Sequence, residues 1–320
     1  MIRALAGRKV SPVGLGCMGL SWGYGPALPE EKAVRLLYRA FDLGYRHFDT
    51  ASLYCSEGLL ARALSENRSQ LLIASKVGLT AKSGGRAIDC HPATIKAECE
   101  ESLKRLQTDH IDLYYLHRLD RNVPIEESMG AMADMVAEGK IGAIGLSEMS
   151  AATLRRAAAV HPIAAMQSEY SPFSRNVEIA VLEACRELGA AFVAFSPLAR
   201  GVLAGSLRDP ALLHPQDVRR YLPRFSEANW PANLHLADAF ALLAREAGVT
   251  PAQLSLSWVL SRGHHIHAIP GTTSLAHLEE NRIVRDVGLM RDVDALINQK
   301  TVHGERYPAS VQPTIDTEEF

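Results

Sequence analysis

Three apolar runs each finish in an ionisable residue, and a fourth such side chain follows close by. Asp49 follows His47-Phe48, with Tyr54 five residues on in a turn of small side chains. Leu71-Leu72-Ile73-Ala74-Ser75 ends at Lys76, and Ile111-Asp112-Leu113-Tyr114-Tyr115-Leu116 ends at His117. A free phenol titrates near ~10, so a tyrosine acts as an acid at neutral pH only beside a cation that stabilises its ionised form. Lys76 supplies that cation in this reading, Asp49 holds Lys76 charged and in place, and His117 donates to the substrate oxygen or passes a proton to it. Such a set protonates an oxygen as charge develops on it, which is what carbonyl reduction by hydride requires. Taken singly, each residue has a plainer role: Asp49 as a helix cap, Tyr54 as a half-buried aromatic, Lys76 as a surface charge, His117 as a core hydrogen bonder. The chemistry needs a fold that gathers the ends of several strands on one rim.

The rest of the chain predicts such a fold. Short apolar segments, expected as strands over Gly14 to Cys17, Tyr45 to Phe48, Leu71 to Ser75, Ile111 to Leu116, Ile141 to Leu146, Ala164 to Gln167, Ala191 to Phe195 and Ile266 to Ile269, alternate with helical patterns. The first helix is placed from Pro29 at its first position, with Glu30 and Glu31 in the first turn and Val34, Leu37, Tyr38 and Phe41 on one face. Later ones begin at Pro92 and Pro124, and after Thr250 as N-cap. Eight strands alternating with helices over 320 residues, with no composition break, predict one α/β domain spanning residues 1–320, a (β/α)8 TIM barrel. After the seventh strand the rhythm breaks in a loop from Gly201 to Asn233, rich in Pro, Arg and His, of the kind that covers a barrel mouth. A last helix and an irregular tail, from Leu289 to Phe320, are expected to cross a barrel end.

Composition narrows the function class. A formal charge of -2 with no basic or acidic tail offers no face for nucleic acid. No apolar run approaches the ~20 residues of a membrane helix, and the N-terminus has no signal core, so a cytoplasmic protein without a membrane partner is expected. Five cysteines without a C-x-x-C pair indicate neither a disulfide framework nor a thiolate metal site. Gly14-Leu15-Gly16-Cys17-Met18-Gly19 spells a dinucleotide fingerprint, but Trp22-Gly23-Tyr24-Gly25-Pro26 intervene before a helix can open on it, so it reads as a strand and loop. His265 and His267 enter the eighth strand at the barrel's stability face and lack a third ligand, so no metal is assigned. Gly145-Leu146-Ser147-Glu148-Met149 lacks the closing glycine of a nucleophile elbow.

Several tracts together carry a family resemblance: Gly44-Tyr45-Arg46-His47-Phe48-Asp49-Thr50-Ala51, Asp112-Leu113-Tyr114-Tyr115-Leu116-His117-Arg118, Gly139-Lys140-Ile141-Gly142-Ala143-Ile144-Gly145-Leu146-Ser147, Ile269-Pro270-Gly271-Thr272 and Leu278-Glu279-Glu280-Asn281. In this order, from about Val10 to Tyr307, they resemble the aldo-keto reductase superfamily, nearest to bacterial reductases with Gln167-Ser168-Glu169-Tyr170-Ser171 and a terminal Gly304-Glu305-Arg306-Tyr307. The resemblance implies reduction of aldehydes or ketones with Tyr54 as proton donor and Asp49, Lys76 and His117 completing a tetrad. It implies NADPH, with NADH a weaker alternative, bound across the barrel without a Rossmann fold. Ser147 and Gln167 would hold the carboxamide beside Asp49, and Phe195 would stack on the nicotinamide. Ser196, Pro197, Leu198, Arg200 and Gly201 would line the pyrophosphate side, while Gly271, Thr272, Glu280 and Asn281 would meet the adenosine. Met18, Leu203, Ile269 and Thr273 complete the implied lining.

Two departures stand out. Tyr54 is followed by Cys55-Ser56-Glu57, where relatives carry a glycine and a longer loop before the glutamate. Thr272-Thr273-Ser274 replaces a basic tract at the adenosine end, and Arg208 of the long loop is the candidate to restore charge toward a 2′-phosphate. A rival reading is a cofactor-binding regulatory subunit like the potassium-channel beta subunits. The expected partner is a small carbonyl compound; the sequence leaves substrate and oligomeric state open.

Overall fold

The structure, a computed structural model, describes residues 1–82 and 85–320. The chain opens with a hairpin, β1 (Arg3–Leu5) and β2 (Arg8–Val10), turned through Ala6 and Gly7, both at positive φ. Eight parallel strands follow in one sheet: β3 (Leu15–Gly16), β4 (His47–Asp49), β5 (Leu72–Val77), β8 (Leu113–Leu116), β9 (Ile144–Ser147), β10 (Ile163–Glu169), β11 (Ala191–Phe195) and β12 (Ile266–Ala268). The intervening β6 (Leu79–Lys82) and β7 (Gly85–Ile88) form a second hairpin beyond β5. Parallel bridges Val13 to Ala268 and Gly16 to Gly271 join the first strand to the last and close the barrel. The helices are α1 (Glu30–Asp42), α2 (Glu57–Leu64), α3 (Pro92–Leu106), α4 (Ile125–Ala137), α5 (Ala151–Ala158), α6 (Val181–Glu187), α7 (Trp230–Glu246), α8 (Pro251–Ser261), α9 (Leu275–Asn281) and α10 (Met290–Leu296).

The eight-strand reading is borne out, with ends shifted by a few residues. Pro29 and Pro124 are N-caps rather than first helical residues: each has an extended ψ, and the Pro29 carbonyl accepts from Lys32 and Ala33. Pro92 does open α3, and Thr250 caps α8 in a reciprocal box with Gln253. The loop after β11 is a chain of short 3₁₀ turns, and α7 begins at Trp230, inside the span expected as loop from Gly201 to Asn233. Both hairpins escaped the sequence reading, because runs of three or four residues give too short an alternation to register.

Alternation along the strands decides what the barrel encloses, since residues two apart share a face. Leu72 and Ala74 of β5, Leu113 and Tyr115 of β8, and Ala191 and Val193 of β11 form an inner cluster that the first hairpin caps with Leu5 and Val10. Phe48, Ile73, Tyr114, Leu116, Met166 and Phe192 face outward into the larger core beneath the helices. A Cβ on Gly145 would lie 2.3 Å from the Tyr115 ring, so the interior holds that tyrosine only because β9 has no side chain there. At the floor, Asp112 accepts from the Ile73 N–H at 2.9 Å and pairs with Arg8 at 2.8 Å and Arg68 at 2.7 Å. The tail returns over the opposite rim, where Asp316 accepts from the Ser150 N–H at 3.1 Å and from Thr153 Oγ1 at 2.7 Å at the start of α5.

His47 and His267 also face inward. Burial, with Lys76 acting on His47 and His47 on His267, pushes both imidazoles down to about 3. An ordinary histidine titrates near ~6.5, so below that pH the unfolded chain takes up protons that the folded barrel refuses. Stability is therefore expected to fall as pH drops from about 6.5, by about 1.4 kcal/mol per pH unit for each imidazole. Urea midpoints measured between pH 7 and pH 5 check this: His267→Gln should show about half the wild-type slope, and an undiminished slope would assign the loss to other groups.

Candidate active site

The alternation that puts Leu72 and Ala74 inside carries Lys76, two residues on, to the inner mouth of β5. On the same principle β4 delivers Asp49, β8 leads to His117, and β10 brings Gln167. Lys76 is 1% exposed; its Nζ donates to Asp49 Oδ1 and to the Thr50 carbonyl at 2.8 Å. The other Asp49 oxygen accepts from Gln167 Nε2 at 2.7 Å, a bond that spans the barrel. Burial would drive the Lys76 ammonium down, but the Asp49 charge outweighs it and holds the group above its ordinary value, so Lys76 is a cation.

Tyr54 hangs over this pair from the 3₁₀ turn after β4. Its ring centroid is 5.0 Å from Lys76 Nζ, its Oη is 3.3 Å from His117 Nε2, and the two rings meet edge to face at 5.7 Å. Trp22, on the loop after β3, lies parallel to the phenol at 6.3 Å, and the neighbouring Ser21 hydroxyl donates to the Tyr54 carbonyl. The loop is fixed from behind. Thr50 and Ser56 hydroxyls are 2.7 Å apart, and buried Glu57 accepts from Ser75 Oγ and Arg105 Nε, both at 2.6 Å. Cys55 is exposed and takes φ +58, in the left-handed region that favours glycine.

The remaining candidates lie along one trough. Ser147 and Gln167 are register partners on β9 and β10, as are Glu169 and Phe195 on β10 and β11. Beyond Phe195 the chain turns through positive φ at Ser196, Ala199, Arg200 and Gly201, with Pro197 and Leu203 buried and Leu198 partly so. Gly271 bridges Gly16, Ile269 is buried beside them, and Met18 packs against Gly23. Thr272 Oγ1 accepts from the Ser274 N–H at 3.0 Å, Thr273 is exposed, and Glu280 is partly exposed at the end of α9. Next to it Asn281 is 2% exposed, with Oδ1 buried and unpartnered. That unanswered acceptor fits a donor such as the amino group of an adenine. Arg208 stands apart, exposed and paired with Asp238 through two contacts, the longer 3.0 Å.

Two contributors were missed from sequence. Tyr24 pairs with Asp217 of the long loop and lies beneath Arg219, 5.0 Å from ring to guanidinium, so the loops after β3 and β11 meet across the trough. The second is a buried cluster of arginines and glutamates behind Phe195, joined by the tail. Neither has a local pattern, since each is assembled from segments far apart in sequence.

A closed (β/α)8 barrel with an ionised lysine, a phenol and an imidazole converging at the C-terminal mouth is the architecture of a barrel enzyme. Residues 12–300 match the Aldo/keto reductase family. The chain is 38% identical, over 99% of its length and 98% of the relative's, to aldo-keto reductase str7 of Strobilurus tenacellus. Among solved structures it is similar to the glycerol dehydrogenase AKR11B4 of Gluconobacter oxydans, with 27% identity, 96% and 98% of the two chains covered and a TM-score of 0.84. It is also similar to the holo form of aldo-keto reductase AKR11C1 of Bacillus halodurans, with 26% identity, 93% and 96% covered and a TM-score of 0.76. The chain belongs to the aldo/keto reductase family. It is an NAD(P)H-dependent oxidoreductase acting on carbonyl groups. Among the described residues no helix is long and apolar enough to cross a membrane.

The buried pair has a stability consequence. Lys76→Met leaves the Asp49 carboxylate inside the barrel with Gln167 as its remaining side-chain donor, and such one-sided removal costs about 3–5 kcal/mol. Adding Asp49→Asn removes the stranded charge and should recover most of that loss. Urea unfolding of the two single variants and the double variant measures the coupling; additive losses would mean that the pair is not coupled.

Proposed function

We propose that the protein is an NADPH-dependent reductase of small aldehydes and ketones, with Tyr54 as the proton donor. The observation that carries this reading is the placement of Tyr54 Oη, 3.3 Å from His117 Nε2 above the cationic Lys76. A nicotinamide, when bound, would supply the hydride to the carbonyl carbon. The carbonyl oxygen, made basic by that transfer, takes the proton from Tyr54 Oη, and Lys76 stabilises the phenolate that remains. Asp49 keeps Lys76 charged, and His117 aligns the oxygen. Ser147, Gln167 and Phe195 would hold the nicotinamide. Arg200 would meet the phosphates, and Asn281 would hold the adenosine end with Gly271, Thr272 and Glu280.

A preference for NADPH requires a cation at the 2′-phosphate, because Thr273 and Ser274 bring hydroxyls but no charge. Arg208 is proposed to supply it: a solvent-exposed ion pair contributes little, so Asp238 can yield Arg208 to a phosphate at small cost. A cytoplasmic location and a single domain of 1–320 complete the proposal.

Tyr54→Phe removes the acid and leaves the trough intact. Turnover of an aldehyde panel with NADPH should fall by about 10²–10⁴-fold while NADPH affinity stays near wild type. A variant that keeps a tenth of the activity would rule Tyr54 out as donor. If the wild type binds NADPH tightly but reduces no aldehyde or ketone, the binding-subunit reading takes its place.

The cofactor preference has its own test. The ratio of kcat/KM for NADPH over NADH is expected to be moderate and to shrink from low to high salt, because a surface arginine is screened. Arg208→Ala should bring the ratio close to its high-salt value. A large ratio indifferent to salt and to Arg208 would put the 2′-phosphate contact elsewhere.

A further inference from the structure

The C-terminal tail enters the rim through Arg306. This side chain is 7% exposed and donates from Nη2 to Glu148, the residue after Ser147, and its Nε lies 3.8 Å from Glu169 Oε2. Glu148 Oε1 in turn accepts the Glu169 backbone N–H at 2.9 Å, so one guanidinium ties the ends of β9 and β10 together. Glu169 is shared further, with Arg200 Nη2 at 2.8 Å, Arg224 Nη1 at 3.7 Å and the Ser174 hydroxyl at 2.7 Å. Three guanidiniums thus share two buried carboxylates, and no single arginine is neutralised.

The tail is seated for this contact. His303 exchanges hydrogen bonds of 3.0 and 2.8 Å with Asn233, and Arg224 Nε donates to the Gly304 carbonyl at 3.2 Å. Gly304 has φ +87, and a Cβ there would lie 3.0 Å from the Arg224 nitrogen. Glu148 itself holds φ +53, a conformation a side-chain-bearing residue keeps only where its surroundings fix it.

We propose that Arg306 is a positioning residue for the dinucleotide: by bridging Glu148 and Glu169 it fixes the strand ends that carry Ser147 and Gln167, and by sharing Glu169 it leaves Arg200 with positive charge for a phosphate. This rests on the reading that the dinucleotide runs past Ser147, Gln167 and Arg200. Without Arg306, Glu148 is buried without a cation and Glu169 is divided between two arginines instead of three. Arg200 is then drawn more fully to Glu169, and cofactor binding weakens, while the proton-donating group, on β4, β5 and β8 and tied to β10 through the Gln167 to Asp49 bond alone, is affected less.

The experiment titrates purified full-length protein with NADPH, following nicotinamide fluorescence, at low and at moderate salt. It pairs the binding curve with kcat at saturating NADPH and with Tm. Arg306→Met should raise Kd about tenfold at low salt and flatten its salt dependence, with kcat within about threefold of wild type, the size of effect seen when a network residue outside the binding site is removed. Arg306→Lys, which keeps the charge but not the two-sided reach, should fall between the two. Phe225→Leu, in the same packing around the cluster but uncharged, should lower Tm without moving Kd. A folded Arg306→Met with wild-type Kd overturns the proposal, as does a Phe225→Leu that raises Kd as much for the same loss of Tm. Should Arg306→Met not fold, Glu148→Gln breaks the same bridge between β9 and β10 and should raise Kd, but it leaves the cluster one charge more positive, so the salt dependence of Kd should persist; a wild-type Kd in a folded Glu148→Gln overturns the bridging role. A wild type that shows no NADPH binding defeats the functional reading; a wild type that binds and an Arg306→Met that binds equally well defeats only this inference.

Discussion

The Lys76 to Asp49 pair is the constraint around which the barrel mouth is arranged. Two opposite charges inside a barrel have lost most of their hydration, and their attraction offsets that loss only when further hydrogen bonds satisfy the atoms left over. Here the Thr50 carbonyl takes a second Lys76 proton and Gln167 serves the second Asp49 oxygen. The pair therefore fixes β4, β5 and β10 relative to one another. It also places a permanent cation under the one turn that carries a phenol, which is why Tyr54 can be reached by both Lys76 and His117.

The strand interior below explains how such a pair is tolerated. The inner cluster is apolar, with the Tyr115 ring 5.9 Å from Lys76 Nζ and Leu5 and Val10 of the first hairpin at the other end. Polar groups are confined to the mouth and to the floor, where Asp112 is matched by Arg8 and Arg68. A second polar cluster lies behind Phe195, where arginines from the tail and from the long loop converge on Glu169. The Glu169 carboxyl is burdened by burial, but Arg200, Arg306 and Arg224 together pull it down to about 2, so it remains an anion that organises three separate segments.

The turn carrying Tyr54 is held by contacts from outside its own residues. With Cys55 in the left-handed region and Glu57 already in the first turn of α2, the chain has little slack, and Glu57 binds to β5 and α3 through Ser75 and Arg105. The phenol is thus held by the core rather than by its own loop. Its free face is bounded by Trp22 from another loop.

The sequence by itself determined the barrel and the four residues at its mouth, because both depend on local patterns: an apolar strand of period two, a polar residue at its end, a helix with one apolar face. It also determined the family, through tracts of consecutive residues. Strand ends were blurred by a few positions, and the two hairpins were too short to leave a pattern. Which partner each charge would choose was decided only by the tertiary structure. Arg208 turned to Asp238, while Arg306, from the last twenty residues, reached two glutamates more than a hundred positions earlier. Such pairings depend on distances across the fold between side chains with several possible partners, and no spacing along the chain encodes them.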